Sequence, residues 1–291
     1  MKKSLFTTLF LLIFLIPAIS HASLVNTSSS AGSGSLSQGL VGWWTFDGAD
    51  LKNNVADKSG QGNNGYMQDF TSTSSAITTG KMGQGLKFDG VDDYVNVPYN
   101  SSLYSNSMTV AFWAKSNTTN YTANSYPVSM WDTNSNRVWG VRVTATTDKW
   151  ALTISTDGTT DSSTDTTQSM QNGWHHIVAT TVNAGSSWTF YYDSVPQAVS
   201  MPVGNNYINQ NSFVTLGGLS VAGNNWNGNL DDVRVYPRAL SASEIKQLYN
   251  LGSAKINQSA SSIDDGLVGW WTFDGGKMIN NVADSSGQGN A

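Results

Sequence analysis

The dominant pattern along the chain is alternation of apolar and polar residues. Met108 to Lys115 reads MTVAFWAK, with Met108, Val110 and Phe112 on one face at period two. Trp150, Leu152 and Ile154 repeat the pattern, as do Trp188, Phe190 and Tyr192. Further short apolar-rich segments are 41–46, 85–90, 93–97, 127–132, 138–143, 174–182, 213–217 and 228–236, most of them bounded by Gly, Asn, Asp, Ser or Pro. Short strands at regular turn spacing predict an all-β fold, a two-sheet antiparallel sandwich or jelly roll. Residues 156–167 (TDGTTDSSTDTT) carry no apolar position and read as a polar loop. One short C-terminal helix is expected, from Ala242 to about Leu251. Ser241 and Glu244 form a capping box, Leu240 and Ile245 a hydrophobic staple, and Gly252 a stop.

A second pattern sets the domain boundaries. Residues 39–65 (GLVGWWTFDGADLKNNVADKSGQGNNG) return as 266–291 at a constant offset of 227, so that Asp47 answers to Asp274 and Asp57 to Asp284. That spacing predicts duplication of a whole domain. The expected organisation is a signal peptide over 1–22, a flexible leader over 23–38, a complete domain over 39–252, a linker over 253–265, and the truncated start of a second domain over 266–291. The signal peptide rests on Lys2 and Lys3, the apolar run 5–16, Pro17, and Ser20-His21-Ala22 before the expected cleavage. The run is too short for a spanning helix. The expected setting is secreted, extracellular or cell-surface, with no membrane span after cleavage.

Composition narrows the partners. Fifteen Lys and Arg stand against twenty Asp and Glu, for a net charge of −5, with no basic stripe, so nucleic acid is not an expected partner. There is no cysteine, so export does not here imply a disulfide scaffold.

The segments WWTFD (43–47), DKSGQGNNG (57–65), GQGLKFDGVDDYVNVP (83–98), MTVAFWAK (108–115), GWHHIVATTV (173–182), FYYDS (190–194), LGG (216–218) and GNLDDVRVYPRALSASEIKQLY (228–249) follow one another in an order that resembles the LamG-like jelly roll, within the concanavalin A-like lectin/glucanase superfamily. Ser194 departs from the glycine usual in that family's hairpin.

Three kinds of chemistry are candidates. The first is a structural Ca2+, because hard cations take oxygen ligands from flexible loops. The loop over 47–65 supplies Asp47, Asp57 and Asn63, and the resemblance implies a tie from such a loop to a late strand, here at Asp231. The alternative is that these residues only make turns and caps. The second is sugar stacking on loop-proximal aromatics: Trp226, Trp139, Trp131, Tyr126 and Tyr121. The alternative is that these rings are core. The third is catalysis, and the residues argue against it. Retaining glucanases need two carboxylates about 5–5.5 Å apart. Glu244, the only glutamate, is explained by the capping box, and Asp92-Asp93 and Asp231-Asp232 are adjacent pairs expected to face opposite ways along strands. His175 and His176 cannot chelate one metal for the same reason, and a structural role is expected for both. Residues 132–136 begin like an EF-hand loop but lack its Gly and Glu, so a hairpin turn is expected there.

The expected function is an exported, non-catalytic binding module for a glycan or surface polymer. The alternatives are a structural or adhesive module that binds protein, or the targeting appendage of a larger glycan-active enzyme.

Overall fold

A computed structural model describes residues 36–51, 54–132, 136–182, 187–197, 212–219 and 224–253. The expected signal peptide, most of the leader, the linker and the second copy of the repeat lie outside them. The strands are β1 (Gly42–Trp44), β2 (Tyr66–Gln68), β3 (Ile77–Thr79), β4 (Gln84–Asp89), β5 (Tyr94–Val97), β6 (Met108–Ser116), β7 (Ser125–Asp132), β8 (Asn136–Val143), β9 (Lys149–Ser155), β10 (Asp161–Ser169), β11 (His175–Val182), β12 (Ser187–Tyr192), β13 (Val195–Gln197), β14 (Val214–Leu216) and β15 (Asn227–Tyr236). A single helical turn, α1 (Thr73–Ala76), precedes β3, and α2 (Ala242–Ser253) closes the described chain.

The strands form two antiparallel sheets. One runs β13-β12-β11-β6-β15-β4-β3, with β1 also paired to β15; the other runs β10-β9-β8-β7-β14-β5-β2. The expected jelly-roll sandwich is the observed fold. Its ends are joined directly, because Gly42 pairs with Val235 and Trp44 with Val233. The period-two faces read from sequence do meet between the sheets: Val110, Phe112, Trp150, Leu152, Ile154, Phe190 and Trp226 share one core. Trp150 is central to it, with ring centroids 6.3 Å from Phe112, 6.4 Å from Phe190 and 6.0 Å from Trp226.

Where the structure departs from the pattern, the reason is pairing rather than side-chain type. Most of the polar run 156–167 is strand β10, an edge strand whose register on β9 runs from Asp161↔Ser155 to Asp165↔Ala151. An edge strand buries little and so carries no apolar signature. Helix α2 has the expected cap: Ser241 Oγ accepts the Glu244 N–H (3.3 Å), and Glu244 Oε2 accepts the Ser241 N–H (2.8 Å). It passes through Gly252 rather than stopping there. A Cβ at that glycine would come within 2.5 Å of Trp113 Nε1, so glycine is what allows the last turn to lie against the indole.

The helix covers part of the first sheet's outer face, packing Ile245 and Leu248 against Ala111, Val178 and Tyr236. His176 belongs to this face. It pairs in register with Trp113, and its ring lies 5.1 Å from that indole and 6.2 Å from Tyr249. Burial is the main cause of a pKa lowered to about 3 for His176, with Arg234 adding to it and Asp193 opposing it. A folded-state pKa below the usual 6.5 means that the unfolded chain takes up a proton which the folded one refuses. Stability from this group is therefore complete above about pH 6.5 and is lost as pH falls toward 3. Asp231, raised to about 7 mainly by burial, acts in the opposite sense, its contribution being lost as pH rises from about 4 through 7. The two mask each other in the parent protein, so a variant must separate them. The parent-minus-His176→Asn difference in unfolding free energy should shrink by up to about 1.4 kcal/mol per pH unit below pH 6.5. Urea melts at pH 7.0, 6.0 and 5.0 test this, and a constant difference would reject a neutral buried imidazole.

Candidate functional site

Beyond the helix, the outer face of the first sheet is polar and open. Strands β4, β15 and β6 lie side by side there, and cross-strand register sets three rows. Lys87 pairs with Asn229, and Asn229 with Lys115. One step along, Asp89 pairs with Asn227, whose carbonyl accepts the Asn117 N–H at 3.0 Å. In the other direction Thr78 pairs with Gly85, and Asp231 with Trp113. Leu86, Phe88, Leu230 and Ala114 occupy intervening positions and enter the core, so the polar set faces outward.

Thr78, Lys87, Asp89, Asn117, Asn227 and Asn229 line a groove of about 480 Å³. Asn229 lies deepest, with 6% of its surface exposed, and its Oδ1 has no hydrogen-bond partner. A buried amide oxygen left unpaired costs about 1–3 kcal/mol. Lys87 and Asp89 also border a second depression of about 160 Å³, with Phe70, Thr71, Ser75 and Asp93.

The groove ends at the β4–β5 turn, where Asp89, Asp92 and Asp93 each place an oxygen within 4.8 Å of the others. Asp92 and Asp93 precede β5 and sit in the turn, so the rule of opposite faces does not govern them. Hydrogen bonds inside the turn engage the cluster: Asp89 Oδ1 accepts from the Val91 (2.8 Å) and Asp92 (3.4 Å) amides, and Asp93 Oδ2 from the Asp89 amide (3.0 Å). Burial raises the pKa of Asp93, the Asp89 amide opposes the rise, and the charges of Asp89, Asp92 and Asp69 add to it.

The expected calcium ligands divide into two sets of hydrogen bonds. Asp47 and Asp231 meet the same β3–β4 turn: Asp47 Oδ1 accepts the Gln84 N–H (3.0 Å), and Asp231 Oδ2 accepts those of Lys81 (2.7 Å) and Met82 (2.8 Å). Asp57 organises its own loop. Its Oδ1 accepts from the Trp43 (2.9 Å) and Ser59 (2.8 Å) amides, and its Oδ2 from Ser59 Oγ (2.7 Å) and the Asn63 amide (2.8 Å). Asn63 spends its side-chain N–H groups on the Val41 carbonyl (2.6 Å) and Ser102 Oγ (2.9 Å). Four donors already fill the Asp57 carboxylate. The four residues are thus divided between two separate sets of hydrogen bonds, as the turn-and-cap alternative describes.

The other adjacent pair, Asp231-Asp232, lies on a β-bulge. The register of β15 on β6 shifts between Asp231 and Arg234, and Asp232 takes φ = 49°. Leu230 and Val233 both enter the core, so the two aspartates between them both turn outward, against expectation.

A laminin G-type family model, described as the concanavalin A-like lectin/glucanases superfamily, matches residues 89–246, more than half of the chain. The chain belongs to the concanavalin A-like lectin/glucanases superfamily. No curated protein matches it by sequence. Among solved structures, the binding domain of Paraclostridial Mosquitocidal Protein 1 is similar at TM-score 0.58 and 19% identity, over 75% of this chain and 53% of that one. The chain thus spans about half the length of that toxin domain. Domain 4 of a GH43 extracellular arabinanase from Geobacillus stearothermophilus, solved with arabinotriose, is similar at TM-score 0.57 and 18% identity, over 72% of this chain and 98% of that one. Trypanosoma rangeli sialidase matches at TM-score 0.55 and 16% identity, over 72% of this chain and 32% of that one. At these identities the likeness is one of fold.

In this concanavalin A-like domain the sequence-predicted aromatics offer no sugar platform. Trp226 and Trp139 are fully buried, and Trp131, Tyr126 and Tyr121 nearly so. Trp226 stacks on Tyr121 at 5.8 Å, while Tyr126 and Trp131 pack with Leu219 in a small cluster of their own. A ring without an exposed face cannot take a pyranose. The groove residues were missed because each is an ordinary polar position within its own strand. The available signal was the outward phase of β4, β6 and β15, which places Lys87, Lys115, Asn227 and Asn229 on one side.

Proposed function

We propose that the protein is an exported, non-catalytic carbohydrate-binding module whose ligand lies in the Asn227–Asn229 groove. The observation that carries this reading is an open cavity lined by amides, a hydroxyl, an ammonium and a carboxylate, with Asn229 its most buried residue. That donor and acceptor mixture matches sugar hydroxyls, each of which both donates and accepts. Membership of a lectin and glucanase superfamily supports it, as does the arabinotriose held by the similar arabinanase domain. Binding rather than hydrolysis is favoured because the groove itself is lined by one carboxylate, Asp89, and its Oδ1 is engaged by turn amides. Glu244 is held by Arg238 (2.7 Å) and Ser241 (2.8 Å) in the helix cap. The leader-like residues 1–22 support export, and the repeated motif supports weak sites acting together.

A glycan array probed with the full chain should show bound saccharides. Asn229→Leu, which removes the amide, should weaken them at least about tenfold. Asn117→Ala, an exposed change that leaves the floor intact, should weaken them less, with both variants melting within a few degrees of the parent. Retention of full binding by Asn229→Leu would move the site elsewhere, and an array without bound glycans would reject carbohydrate binding.

A further inference from the structure

We infer that the groove selects acidic saccharides, sugars bearing a carboxylate or sulfate; this deepens the carbohydrate-binding reading and rests on it. The observation is the row Lys87–Asn229–Lys115. Asn229 pairs in register with a lysine on each side. Neighbouring antiparallel strands lie about 5 Å apart, so the two lysine backbones stand about 10 Å apart, astride the unpaired amide. Adjacent positions across a ladder put side chains on the same face, so both ammonium groups rise on the groove side of the sheet.

Neither ammonium forms an ion pair with any described residue. Four ion pairs are formed among the described residues, through Lys58, Arg137, Arg234 and Arg238, and none involves Lys87 or Lys115. Lys81, by contrast, is spent over the Trp113 ring at 4.7 Å. Like charges at such a separation repel modestly, and no carboxylate is inserted between them. Asp89 lies one row further on, beside Asn227, and its Oδ1 is turned toward the Val91 and Asp92 amides. The charges around the site are therefore ordered: cationic across the Asn229 row, anionic at the β4–β5 turn.

A neutral sugar would meet the lysines only through the lone pairs of its hydroxyls. An acidic sugar uses the whole row. Its anionic group accepts from one or both ammonium groups, while ring hydroxyls meet the amides that line the groove. Asp89, Asp92 and Asp93 at the far end would repel a second anionic group placed there. A polymer with an acid on every unit is thus held less well than one whose acidic and neutral units alternate. This selectivity is local, because the chain as a whole is acidic and has no general attraction for polyanions.

The test is titration of the full chain with matched oligosaccharides that share a backbone: a uronate-containing form, its carboxyl-methylated or carboxyl-reduced neutral counterpart, and a sulfated form, each at 50 and 300 mM NaCl. Carboxylated or sulfated members should bind at least about tenfold more tightly than the neutral one and weaken at the higher salt. Comparison of the carboxylated with the sulfated form shows which anion the site takes. Lys87→Gln and Lys115→Gln should each cost the acidic forms several-fold more affinity than the neutral form and so remove much of that preference; both sit on the surface and spare the core. If the neutral form binds as tightly as the acidic ones, or if the lysine variants keep the preference, the acidic-sugar inference is overturned and carbohydrate binding stands. If none of the three binds and the array is also blank, both readings fall together.

Discussion

Trp226→Ala is expected to destabilise the domain by about 3–5 kcal/mol, the range for removing a large aromatic from a packed core. The indole is fully buried, stacked on Tyr121 at 5.8 Å with planes 12° apart, and 6.0 Å from the central Trp150. It reaches that position by folding back over Gly228, where a Cβ would come within 2.6 Å of the ring, while the backbone N–H of Trp226 donates to the Gly217 carbonyl at 2.8 Å. Alanine would leave a cavity beneath Tyr121 that the two sheets cannot collapse to fill. Denaturant unfolding of the full chain at pH 7 measures the loss. The same experiment separates a core role from a ligand role: where the variant is still folded, its glycan affinity should match the parent's, since the ring offers no surface to the groove. A variant with unchanged stability and lost binding would restore Trp226 to the site and contradict the packing.

The contrast between Trp226 and Asn229 shows what the sequence could and could not convey. Strand phase is a local property, and residues 108–115, 150–154 and 188–192 declare their buried faces without reference to anything else in the chain. Strand β10 does not, because an edge strand is held by backbone pairing with β9 and buries little. Trp226 sits in a run of Gly and Asn, where no neighbour in sequence covers an indole; its cover comes from Tyr121, more than a hundred residues away. The groove is hidden for the related reason that Lys87, Lys115 and Asn229 become neighbours only through the order β4-β15-β6, which alternation cannot supply. The Asp and Asn residues of 47–65 were legible as a dense oxygen-rich loop. What that loop does depends on whether its amides or a cation satisfy those oxygens, and for Asp57 the amides and a hydroxyl do.

Asp232→Ala should cost a comparable 3–5 kcal/mol, because it strands a buried cation. Asp232 Oδ1 accepts from Arg234 Nε (3.1 Å) and Nη2 (3.0 Å) and from Trp43 Nε1 (2.6 Å). The side chains of Asp232 and Arg234 are 6% and 8% exposed, so water cannot replace the lost partner. The guanidinium also lies 4.4 Å above the Trp43 ring, which fixes it over β1 and prevents it from swinging out to solvent. Burial raises the pKa of Asp232 while Arg234 and Trp43 oppose that rise, the balance expected of a carboxylate that is tolerated inside only because it is paired. The pairing can be told apart from the bulge geometry by a double variant. Asp232→Ala with Arg234→Met removes both charges while leaving the alanine at φ near +50°, and it should recover most of the stability lost in Asp232→Ala. Denaturant midpoints of the two variants decide between the causes. Recovery in the double variant assigns the loss to the unpaired arginine, and equal losses would assign it to the backbone of the bulge that joins β15 to β1 and β6.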